Sequence, residues 1–247
     1  MDEGTGEPPG APTVAHRTEE YRPGRAIEVV RAVGSRGAPV VLLWHGSGPD
    51  ERDALVPLAT AIAGLGPVVL VPDWQSDDPA VGPGELLASI DFVRTTATEL
   101  GGDPGRVLLA GWSLGASAAT DIAFHPGLAD GWHPTAVVGL AGGYDRSPFG
   151  GDPMAGDPVG GAGRPALLVH GTSDTVIPLE RSVAATATFA EAGWRAVLRQ
   201  VDTDHAGVIG TVYDRDLRRC VPTEDRARLA VLPIVAREVA RLALGPT

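Results

Sequence analysis

Two rhythms of apolar and polar residues alternate along this chain of 247 residues. In the first, short runs carry almost no polar face: 38–44, 67–71, 106–110, 136–140 and 166–169. Runs of that length without alternation are expected of parallel strands covered on both sides. Two further segments, 26–33 and 195–201, mix polar with apolar positions and read as a half-exposed strand and an edge strand. In the second rhythm apolar residues return every three or four positions. Leu55, Leu58, Ala59 and Ile62 mark a helix that starts near Asp50 and ends at Gly64. Leu86, Ile90, Val93 and Ala97 mark another, closed by Gly101-Gly102, and the small residues of 116–122 form a third. Leu179, Val183, Ala187 and Ala190 give a fourth face. Leu232, Val235, Val239 and Leu242 give the last, with Pro233 in its first turn.

Strands alternating with helices at this spacing predict an α/β fold with a doubly wound, mostly parallel sheet. One catalytic-size domain is expected over 25–247, preceded by a flexible segment, 1–24, rich in Gly, Pro and Glu. The stretch 142–164 is long, unpatterned and thick with Gly and Pro. It reads as an active-site loop or flap, and a helical lid domain does not fit there.

Composition narrows the partners. The net charge of −11 disfavours nucleic acid and anionic lipid surfaces. Every basic residue is Arg, so mechanisms that need a lysine Schiff base or a phosphate-loop lysine are excluded. Cys220 is the single cysteine, so no intrachain disulfide forms, and it reads as a small packed residue. The acidic N-terminus lacks an apolar signal core and no run reaches membrane-spanning length, which points to a cytoplasmic protein with no membrane partner. No Cys/His cluster has metal-ligand spacing and no glycine pattern cradles phosphate, so neither metal nor cofactor is expected. The sequence leaves the oligomeric state open.

The chemistry centres on Gly111-Trp112-Ser113-Leu114-Gly115, placed between a strand and a helix. A Gly-x-Ser-x-Gly turn in that context is so sharp that the serine adopts a strained backbone and its hydroxyl stands clear of the sheet. The two glycines avoid a clash across the turn. A serine hydroxyl needs a neutral imidazole to take its proton, and the imidazole needs a carboxylate to fix its tautomer. In such sheets the order is Ser, acid, His, each on a loop at the carboxyl end of a strand. Asp174 follows the strand at 166–169, and His205 follows the strand at 195–201. Asp145, after the preceding strand, is the rival acid. Two backbone amides complete the set as an oxyanion hole: Leu114, next to the nucleophile, and Ser47 in His45-Gly46-Ser47-Gly48.

These motifs, with His170-Gly171-Thr172-Ser173-Asp174 and Asp204-His205, resemble those of the α/β-hydrolase superfamily over about residues 26 to 245. Within it, the chain looks like the small esterases related to dienelactone hydrolase and the prolyl-oligopeptidase-type esterases. The resemblance implies an α/β-hydrolase fold without an inserted lid, and a serine esterase working through an acyl-serine on a small-molecule ester. An acyltransferase or thioesterase using the same residues, and a catalytically silent binding protein, are the alternatives. Ala116 stands where many relatives carry a further Gly, and the short N-terminal region leaves room for one or two lead-in strands. Trp112, Trp74 and Tyr144 are candidates to line the substrate pocket. His45 and His170 read as structural, and His16, His125 and His133 as surface residues without partners. The run 214–219 reads as a solvated face.

Overall fold

A computed structural model describes residues 12–48, 50–156 and 163–245. Its centre is an eight-stranded sheet in the order β1-β2-β4-β3-β5-β6-β7-β8. The strands are β1 (Val14–Arg22), β2 (Arg25–Ala32), β3 (Ala38–Trp44), β4 (Val68–Pro72), β5 (Gly102–Trp112), β6 (Ala136–Leu140), β7 (Pro165–Gly171) and β8 (Arg195–Val201). β1 and β2 run antiparallel to their neighbours, and all pairings from β4 through β8 are parallel. Five helices cover the sheet: α1 (Arg52–Ala63), α2 (Gly82–Thr96), α3 (Leu114–Phe124), α4 (Leu179–Glu191) and α5 (Arg226–Leu244).

The unbroken apolar strands serve two cores at once, because successive side chains point to opposite faces. Val40, Leu42 and Trp44 pack with Leu86 and Ile90 of α2, Ile122 of α3 and Phe189 of α4. Val41 and Leu43 pack with Leu55 and Leu58 of α1 and Val235 and Val239 of α5 on the other side. Helices on both faces of a parallel sheet place every strand end with its following loop along one rim.

Two expectations need correction. Part of the segment expected to be flexible is β1: Pro23 and Gly24, the latter at φ 73°, turn the chain back as a hairpin onto β2. The strand left no clear apolar signature because it lies at the sheet edge, and only Tyr21 among its residues is buried. Residues 1–11 lie outside the described residues. The last helix begins at Arg226, not near Leu232: Asp225 caps it by accepting from the Ala227 amide at 2.8 Å. Pro233 therefore sits inside the helix. The run 214–219 is largely exposed, as expected, and forms the tip of a second, two-stranded sheet, β9 (Thr211–Asp214) and β10 (Arg219–Pro222). Asp214 closes that tip by accepting from the amides of Asp216 and Leu217 at 2.8 and 3.0 Å. Among the described residues no lid domain is inserted.

Candidate active site

Ser113 lies between β5 and α3 and caps the helix with φ 56° and ψ −117°, a conformation that non-glycine residues rarely adopt. The chain enforces it by close approach. A Cβ on Gly111 would stand 2.1 Å from the Gly115 carbonyl, and one on Gly115 would stand 2.5 Å from the carbonyl oxygens of Trp44 and His45. The Ser113 amide donates to the Leu140 carbonyl at 2.8 Å, which fixes the turn against β6.

Asp174 and His205 meet. The His205 Nδ1 lies 2.8 Å from Asp174 Oδ2. Their loops are aligned by the Thr172 amide on the Val201 carbonyl, 2.8 Å, and the Ser173 amide on the Thr203 carbonyl, 3.0 Å. Gly171 permits that contact, since a Cβ there would fall 2.4 Å from the Thr203 oxygen. The Asp174 carboxylate is fully buried. Burial alone would raise its pKa, but bonds from His170, His205 and the Ile177 amide outweigh it and hold the carboxyl well below the usual range. Its Oδ1 accepts from the amides of Val176 and Ile177 at 2.8 and 2.9 Å. The rival Asp145 is instead paired with Arg181 at 3.1 Å, half exposed.

Behind this pair stand residues whose part the sequence did not reveal. His170 is fully buried; its Nε2 lies 2.9 Å from the Ile177 carbonyl and 3.3 Å from Asp174 Oδ2, and its Nδ1 lies 2.7 Å from the Ser182 hydroxyl of α4. One assignment satisfies all three contacts: Nε2–H donates, and Nδ1 accepts from Ser182. His170 thus braces the carboxylate. Asp204 is gripped by both terminal nitrogens of Arg228 in α5, which ties the His205 loop to that helix. Trp112 donates from Nε1 to the His205 carbonyl at 3.1 Å, and its ring packs 5.1 Å from the imidazole.

The loop that carries Ser47 is fastened from below. Ser76 accepts from the Gly48 amide at 2.6 Å and donates to the Gly48 carbonyl at 2.8 Å. The loop after β4 is held in turn by Glu85, which accepts from the Gln75 amide at 2.7 Å and from Arg25 Nε at 2.6 Å. Arg25 also reaches Asp73 at 3.1 Å. His45 is structural, as expected: Nδ1 bonds the Gly46 carbonyl at 2.9 Å and Nε2 accepts from the Trp74 amide at 3.3 Å. Burial pushes its pKa down to about 4. Among the described residues, the Ser47 and Leu114 amides have no acceptor. His45, Asp50 and Asp73 each bring one ligand-type atom within 4.8 Å of the others, but both nitrogens of His45 and one oxygen of Asp73 are already engaged.

Two cavities meet at Ser47 and Arg146. The larger, about 610 Å³, is lined by Ser113, His205, Trp112 and the β9–β10 hairpin. The smaller, about 320 Å³, is lined by Ser47, Leu114, Trp74 and prolines 79, 83 and 148. Trp112 and Trp74 thus border the cavities. Tyr144 does not: its ring is buried beneath the sheet rim against Gly139 and Gly142, where small residues leave the room it fills. Its place in the pocket is withdrawn. His16 is exposed and His125 half-buried, but neither lacks a partner: His16 lies in β1 beside Glu28, 3.8 Å away, and His125 Nδ1 lies 2.6 Å from Asp121. Arg146, Ser147 and Pro148 show that the 142–164 loop borders the site; its residues 157–162 lie outside the described ones.

Sheet order and the strained serine turn define the α/β-hydrolase fold. Comparison with protein-family models and with curated protein sequences gives no match. Solved structures do match. The thermophilic esterase Est2 of the planctomycete Thermogutta terrifontis, with propionate bound, aligns at a TM-score of 0.70 and 17% identity, over 94% of this chain and 96% of that one. The same esterase phosphonylated by sarin aligns at 0.70 and 17%, over 98% and 99%. An esterase of Pyrobaculum calidifontis aligns at 0.72 and 15%, over 94% and 86%. At these identities the likeness is one of fold.

Proposed function

We propose that the protein is a serine esterase acting on small carboxylic esters. Ser113 attacks the carbonyl, and His205 takes the hydroxyl proton while Asp174 holds its tautomer and steadies the imidazolium. The amides of Leu114 and Ser47 receive the developing oxyanion. His205 then protonates the departing alcohol, and water, activated by the same imidazole, releases the acid from the acyl-serine. The observation that carries this reading is the 2.8 Å bond between Asp174 and His205 at the edge of a cavity that Ser113 also lines. No step calls for a metal or cofactor.

Chemistry also assigns the two cavities. The departing oxygen must sit near His205, so the alcohol portion leaves through the larger cavity. The acyl chain then lies in the smaller one, beside the oxyanion amides and the prolines. Fold likeness to the Thermogutta and Pyrobaculum esterases agrees with this reading.

Ser113→Ala is expected to lower nitrophenyl butyrate turnover by at least about a thousandfold. A fluorophosphonate probe should add one label, mapped to Ser113. Turnover retained in the variant, or a label elsewhere, overturns the assignment. An acyltransferase would instead pass the acyl group to an added alcohol in preference to water.

A further inference from the structure

The larger cavity carries positive charge that ester hydrolysis does not require. The chain's net charge is −11, yet Arg146, Arg215, Arg218, Arg219 and Arg228 all line this one cavity. Two of them are committed to carboxylates: Arg228 to Asp204, and Arg219 to Asp53. Glu51, a buried acid in the same wall, is raised in pKa by its burial, with Arg219 opposing. Arg146, Arg215 and Arg218 have no carboxylate partner among the described residues. Their sequence neighbours do not neutralise them: Asp145 is engaged by Arg181, and Asp214 spends an oxygen on the hairpin tip. Asp216 is exposed and outside the cavity wall.

Folding gives no reason for this convergence. The three side chains are exposed and bridge nothing among the described residues, and they come from two separate loops, one after β6 and one between β9 and β10. A guanidinium is a planar fork matched to a carboxylate. The geometry points to a carboxylate-binding subsite on the alcohol side of the cavity: the preferred ester carries an ionised carboxyl on its leaving group. A singly charged carboxylate suits this acidic protein better than a doubly charged phosphate. The inference rests on the esterase reading for its orientation, and its test is a binding measurement that does not depend on turnover.

4-Hydroxybenzoate and its neutral isostere 4-hydroxybenzamide mimic the leaving alcohol. Calorimetric titration of the wild-type protein at low salt should show the carboxylate bound about tenfold more tightly, one charge-assisted contact's worth. Added salt should erode the difference. In the combined variant R146Q/R215Q/R218Q, checked for its melting temperature, the preference should fall towards unity. If that variant does not fold, R146Q alone, outside the hairpin, should lose part of it. Equal binding of both compounds, no binding of the carboxylate, or an undiminished preference in the folded variant overturns the subsite. A preserved carboxylate preference in a protein that turns over no ester would instead sink the esterase reading and leave the subsite standing.

Discussion

A serine held at φ 56° and ψ −117° carries strain on the order of 1–3 kcal/mol, and only its surroundings keep it there. Gly111 and Gly115 make the turn possible, and β6 pins it through the Leu140 carbonyl. The same dependence on neighbours holds for Asp174. Its buried carboxylate would be costly if unpaired, and four contacts surround it: two amides, His205, and His170, itself braced by Ser182. His170→Ala should therefore free the carboxylate to turn away from His205. We expect kcat for a nitrophenyl ester to fall by about 10- to 100-fold, as a misplacement near 1 Å does, while labelling of Ser113 by a fluorophosphonate slows in parallel. An unchanged kcat would show that Asp174 needs no brace. His170 was legible as a structural histidine at a strand end. Its task was not, because Ser182 and Ile177 reach it only once α4 folds back on β7.

At the scale of elements, the loop that carries Ser47 depends on residues far from it in the chain. Arg25 of β2 and Glu85 of α2 clamp the loop after β4, and that loop holds Gly48 through Ser76. Glu85 is 2% exposed, so removing it leaves the Gln75 amide without its acceptor and the Arg25 charge with Asp73 alone. Glu85→Ala should lower stability by about 3 kcal/mol, read from urea unfolding, and should reduce kcat more than it changes KM by loosening Ser47. A loss within a few tenths of a kcal/mol would mean that the clamp is solvated. The parallel strands and most helices were legible, since a doubly covered strand needs an unbroken apolar run. The edge strand β1 and the β9–β10 hairpin were not. Few of their residues are buried, so their sequences remain polar and periodicity has nothing to report.

The molecule as a whole should be sensitive to acid, and His45 supplies a defined part of that. Burial lowers its pKa to about 4 in the folded state, against about 6.5 when unfolded. The unfolded chain therefore binds the proton first as pH falls. The stabilising difference is fully present above pH 6.5 and is lost between 6.5 and 4, up to about 3 kcal/mol. Asp174 acts in the same direction at lower pH, since its carboxyl is held down in the folded state and its contribution disappears as that group protonates. Urea unfolding at pH 7, 5.5 and 4 should show a steeper decline in the wild type than in His45→Asn; parallel declines would refute the assignment. The sequence by itself determined the layered sheet, the serine turn and the strand-end order of Ser113, Asp174 and His205. Each is written in a short window, through apolar periodicity, glycine sterics and strand-end position. Tertiary structure alone decided that Asp174 and not Asp145 faces His205, that Tyr144 turns into the core, and that three arginines from two loops, without carboxylate partners among the described residues, line one cavity. These are meetings between residues distant along the chain, fixed by how the strands stack and not by any local pattern.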